Sequence, residues 1–89
     1  MRVLHIDDMS ELLRFTKLFL EEIDASIEVV SVESPTEALQ LFSSDTFDCI
    51  LSDYQMPGMS GIELAESVRE TSDIPFIIYT GRGSEEVAS

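Results

Sequence analysis

Cysteine is almost absent from this 89-residue chain: Cys49 stands alone, so no disulfide can form within it. That usage suits a reducing compartment, and with no cation flanking it Cys49 reads as a buried structural thiol. Positive charge is scarce too. Five Lys+Arg face 18 Asp+Glu, for a net charge of −13, and Lys17 is the only lysine. Such a surface repels nucleic acid and anionic lipid, and no basic cluster makes a local exception. Neither a nucleic-acid nor a membrane partner is therefore expected for this domain. A single histidine, His5, has no second histidine to join it at a metal, so it is expected in the core or half buried. No apolar stretch approaches the ~20 residues of a membrane-spanning helix. The start, Met1-Arg2-Val3-Leu4-His5, has no signal-peptide pattern, and a cytoplasmic location is expected. Repeats, low-complexity tracts and internal linkers are also missing.

What is present suffices for one small domain over residues 1–89, since 44% of residues are hydrophobic and 8% aromatic. The acidity suits a protein that stays hydrated in concentrated salt. A salt-adapted source follows as an expectation: stability should rise as added salt screens self-repulsion. Equal stability in dilute buffer and molar salt would count against it.

Strand and helix patterns alternate along the chain. Val3-Leu4-His5-Ile6 reads as a strand ending at Asp7-Asp8. From Ser10 to about Glu22, Leu12, Leu13, Thr16, Phe19, Leu20 and Ile23 recur at helical spacing and predict one buried face, with Ser10 as the cap. Residues 27–32 are rich in β-branched side chains and predict a second strand. Ser34-Pro35-Thr36-Glu37 predicts a helix start with a capping box and proline in the first turn, its inner side being Ala38, Leu39 and Phe42. Cys49-Ile50-Leu51 predicts a buried strand. Ser60-Gly61-Ile62-Glu63 repeats the capping-box pattern and opens a helix to about Glu70 that buries Ile62, Ala65 and Val68. Residues 74–79 predict a fourth strand, with Pro75 near its start. A last helix begins near Ser84 and reaches only to Ser89, less than can stand alone. The order implies an α/β fold, a parallel sheet with right-handed crossovers and helices on both faces.

The most informative stretch is Ile50-Leu51-Ser52-Asp53-Tyr54-Gln55-Met56-Pro57-Gly58. Asp53 falls where a strand gives way to a Pro-Gly turn. An aspartate there either starts a turn or serves a site, because ligands of open α/β sheets gather beyond the carboxyl ends of strands. The same edge collects Asp7 and Asp8 from the first strand and Thr80 from the fourth. Three clustered carboxylates call for a cation, and hard oxygen ligands of this kind suit Mg2+ with a phosphate. An Asp carboxylate can itself take a phosphoryl group as an acyl phosphate. Thr80 could donate a hydrogen bond to that group, and the backbone at Gly81 could approach it closely.

These residues carry a family resemblance. The strand ending in Asp7-Asp8, the Asp-x-x-Met-Pro-Gly-x-x-Gly pattern from Asp53 to Gly61, and Ile78-Tyr79-Thr80-Gly81 resemble the receiver domain of two-component response regulators. The resemblance covers essentially the whole chain. It implies a flavodoxin-like, doubly wound sheet of order 2-1-3-4-5, with the fifth strand and last helix missing from these 89 residues. It further implies that Asp53 is phosphorylated from the phosphohistidine of a sensor histidine kinase or phosphotransfer protein. Mg2+ would be held by Asp8 directly, by Asp7 mostly through water, by Asp53, and by the main-chain carbonyl of Gln55. Thr80 would be the switch hydroxyl, pulling the Gly81-Arg82-Gly83 loop with it.

The chain departs from the family in one respect with chemical weight. The lysine that the family places at the end of its fifth strand is expected to have no counterpart within these 89 residues, which stop before that strand, and Lys17 cannot be promoted to that role. These residues by themselves are therefore expected to lack one charge that stabilises the transferring phosphoryl group. Tyr79 reads as an ordinary strand side chain. Two rival functions remain open. A phosphohydrolase with an aspartyl-phosphate intermediate, of the haloacid dehalogenase type, would need a second Asp two residues after the first, where this chain has Gln55. A plain interaction module that is never phosphorylated is the other. No output domain or nucleic-acid motif lies in these residues.

Overall fold

A computed structural model describes residues 1–80 of the chain. Its elements follow in the order β1 (Arg2–Ile6), α1 (Ser10–Ile23), β2 (Glu28–Val32), α2 (Pro35–Ser44), β3 (Cys49–Asp53), α3 (Gly61–Arg69) and β4 (Phe76–Tyr79). The strands form one sheet in the order β2-β1-β3-β4, and every pair is parallel. The parallel pairing is the one expected from the alternating pattern, and the strand order is the doubly wound one that the family resemblance implied. The helix expected near Ser84, and Gly81 with its loop, lie outside the described residues.

Side-chain alternation sorts the strands onto two faces. Leu4 and Ile6 of β1 sit beside Ile50 and Ser52 of β3. Leu4, Ile6 and Ile50 meet Ala38 of α2 and Leu64 and Val68 of α3 in the main apolar core, against which Leu39, Phe42 and Phe76 also pack. Burying each large aliphatic side chain there contributes ~1.5–3 kcal/mol. The opposite face carries Val3, Val29 and Cys49, packed against Leu20 of α1. Cys49 is buried as expected, and burial pushes its thiol pKa up.

Several local expectations are corrected. Ser10 is the first residue of α1, not its cap: Met9 occupies the cap position with no side-chain bond. Only Leu13 of the expected α1 face is buried, while Phe19 and Ile23 stand exposed beside Phe15 and Leu18. The α1 stripe is wider than the surface β2 and β1 offer it, so its outer half reaches solvent. At α2, Ser34 accepts from the Glu37 N–H as expected, but only this half of the capping box forms. Glu37 is exposed, where water serves its carboxylate equally well. The box at α3 is complete. Its inner residues are Gly61, Leu64 and Val68, whereas Ile62 is exposed, one position out of phase with that face.

Candidate functional site

The carboxyl edge of the sheet is built with close backbone tolerances. Gly58 has φ +87°, a conformation that favours glycine. Gly61 is required for a different reason. A Cβ there would meet the Asp53 carbonyl oxygen at 2.5 Å. The first turn of α3 is thus pressed against the end of β3, and the Gly61 N–H donates to the Tyr54 carbonyl at 2.8 Å. The Ser52 hydroxyl donates to the Asp53 carbonyl at 2.9 Å, and the Tyr54 N–H donates to the Tyr79 carbonyl at 2.7 Å. Met56, buried below the loop, completes the support.

On this frame Asp7, Asp8 and Asp53 converge: one carboxylate oxygen from each lies within 4.8 Å of the other two. Asp7 and Asp53 are only 1% and 4% exposed, while Asp8 is half buried. Two buried carboxylates and a third at the rim, all hard oxygen donors, fit a divalent cation such as Mg2+. Register explains the meeting. Ile6 lies beside Ser52, so the residues that follow, Asp7 and Asp53, leave adjacent strands together. Gln55 is exposed in the loop after β3, and Thr80 directly follows β4, half buried.

Two residues of the pocket were not legible as such. Tyr79 lies beside Asp53 in the β3–β4 register. Its hydroxyl donates to Asp7 Oδ2 at 2.5 Å and sits 2.8 Å from His5 Nε2. The other Asp7 oxygen, Oδ1, accepts from the Met9 N–H at 2.8 Å. His5 is fully buried, and its Nδ1 has no hydrogen-bond partner among the described residues. Burial lowers the His5 pKa, against the opposing pull of Asp7 and Asp53. The Tyr79 pKa is raised well above its ordinary 10.0, first by burial and then by the bond to Asp7. The available signal was alternation: positions 5 and 7 of one strand and 53 and 79 of two others share a face.

A sequence model of the response regulator receiver domain matches residues 3–89. The transcriptional regulatory protein SrrA of Staphylococcus aureus is 34% identical over 83 residues, spanning 93% of this chain and 34% of SrrA. This chain therefore covers about a third of the curated relative. Among solved structures, the response regulator TrrA of Thermotoga maritima in complex with Mg2+ and BeF is similar with a TM-score of 0.84 and 31% identity, over 97% of this chain and 74% of that one. A structure of histidine kinase ThkA in complex with TrrA gives 0.83 and 33%, over 90% of this chain and 68% of that one.

Proposed function

Because the chain belongs to the response regulator receiver domain family of two-component signalling, we propose that it is a Mg2+-dependent phosphoacceptor switch with Asp53 as the acceptor. The observation that carries this reading is the convergence of Asp7, Asp8 and Asp53 within 4.8 Å at the carboxyl edge of the sheet. Asp8 and Asp53 would hold the cation directly, Asp7 mostly through water, and the Gln55 main-chain carbonyl would complete the protein ligands. Asp7 suits an indirect role, since each of its oxygens already accepts a protein hydrogen bond. When bound, Mg2+ supplies positive charge to offset the carboxylates and the phosphoryl oxygens.

An Asp53 carboxylate oxygen attacks the phosphorus of a partner's phosphohistidine. The P–N bond breaks as the P–O bond forms, and the departing imidazole takes up a proton. The buried, backbone-clamped position of Asp53 supplies orientation, which with electrostatics is most of the catalysis in phosphoryl transfer. The Thr80 hydroxyl then donates to the phosphoryl group, as does the backbone N–H of Gly81. Movement of Thr80 is the conformational signal. The chain acts as a signalling switch that assists its own phosphorylation and dephosphorylation, rather than as an enzyme with a separate substrate. A sensor histidine kinase or phosphotransfer protein is the donor, a reading supported by the complex of TrrA with ThkA.

The test is intact mass after incubation with Mg2+ and a small acyl-phosphate donor. One added phosphoryl group is expected in the wild type and none in Asp53→Asn. Addition to both proteins, or to neither in the full chain, would overturn Asp53 as the acceptor and leave the unphosphorylated interaction module in its place.

A further inference from the structure

Tyr79 has a single hydroxyl hydrogen, and it is donated to Asp7 Oδ2 at 2.5 Å. The 2.8 Å contact to His5 must then run the other way, with His5 Nε2–H donating to the Tyr79 oxygen. This hydrogen count leaves His5 Nδ1 as a bare acceptor, consistent with its lack of a partner among the described residues. The three side chains make a directed chain, from His5 to Tyr79 to Asp7, that leads from the closed interior of the sheet into the acid pocket. Each residue is on a different footing. His5 is fully buried, Tyr79 is half buried at the end of β4, and Asp7 is buried at the end of β1.

We propose that Tyr79 is a positioning residue of the cation pocket: held by His5, it fixes the Asp7 carboxylate in the orientation that the ion requires. This inference rests on the cation-binding reading above. With the Met9 N–H on Oδ1 and the Tyr79 hydroxyl on Oδ2, both oxygens of Asp7 are pinned. The carboxylate can present only its remaining lone pairs, in a fixed direction, so little ordering is left to be done when the ion arrives. Outer partners of this kind orient ligands, and their loss typically weakens metal binding by roughly 10–100-fold. The tether also joins β4 to β1 across β3, one residue before Thr80.

The experiment combines calorimetric Mg2+ titration with NMR of the full chain carrying tyrosine 13C-labelled at Cζ. The resonance missing from Tyr79→Phe identifies Tyr79. In the wild type that resonance should shift on Mg2+ addition with the midpoint seen by calorimetry, because the Asp7 charge it donates to is being shared with the ion. Tyr79→Phe should bind Mg2+ about tenfold more weakly, and His5→Leu should show a smaller loss in the same direction. A merely structural tyrosine would leave the Mg2+ affinity unchanged and its Cζ resonance unmoved at saturation. That result overturns the inference alone. A wild type that binds no Mg2+ overturns the cation pocket itself, and the inference with it.

Discussion

The two faces of the sheet are made differently, and the contrast separates stability from function. Among the described residues, nine buried ones form a continuous apolar core on the α2–α3 face, and the strand positions within it are aliphatic. On the α1 face the buried apolar cluster has three members. Its strand positions include His5, Asp53 and Tyr79, with Asp7 just beyond β1; hydrogen bonds join His5, Tyr79 and Asp7, and Ile77 stands 54% exposed. One face holds the strands in register by non-directional packing. The other spends its positions on directional polar contacts, which contribute little net stability but fix geometry. The pocket depends on both, because register set by the first face brings Asp7 and Asp53 together on the second.

Neighbouring residues of β3 test the contrast most strongly. Ile50 faces the main core and is 1% exposed, whereas Leu51 faces the other side and is half buried. Ile50→Ala should lower unfolding free energy by ~2–5 kcal/mol. Leu51→Ala should cost less than half as much in the same denaturant titration. Equal losses would break the distinction between the faces. Next in size is Gly61→Ala, whose added methyl must displace the Asp53 backbone. A loss of ~1–3 kcal/mol is expected, with phosphoryl acceptance reduced beyond what the stability loss explains. Ser60→Ala removes the cap of α3 without touching the pocket, and should cost ~1 kcal/mol while leaving acceptance intact in the folded protein.

The smallest effects vanish near neutral pH and belong to the polar face. Folded Tyr79 holds its proton more tightly than the unfolded chain does. Stability is therefore fully present below pH 10.0 and falls as pH rises beyond it. Folded His5 resists protonation, so stability is level above pH 6.5 and falls as the unfolded chain takes up a proton below that value. Thermal melts across pH should show both losses, with Tyr79→Phe flattening the alkaline limb and His5→Leu the limb just below pH 6.5.

Much of this was legible from the residues. The alternation of strand and helix patterns set the parallel sheet, and the Pro-Gly turn after Asp53 marked the edge where the carboxylates meet. The last glycine of the Asp53–Gly61 pattern was visible as a motif, but its reason, the approach of α3 to the Asp53 carbonyl, is a tertiary fact. Helix faces were less legible. The apolar stripe of α1 has no sign of where its burial stops, and Ile62 looks as apolar as Leu64 although only the latter is buried. Tyr79 and His5 were hidden for a related reason. Each fits an ordinary strand position alone, and only the pairing of β1, β3 and β4 brings them onto one carboxylate.

The central claim is that the Asp7–Asp8–Asp53 cluster is a cation pocket serving Asp53, and Mg2+ calorimetry on the wild type and Asp8→Ala tests it most directly. One bound ion in the wild type, lost or weakened by at least about tenfold in a folded Asp8→Ala, is the predicted result. No binding by the wild type, or the same affinity in both proteins, would contradict it.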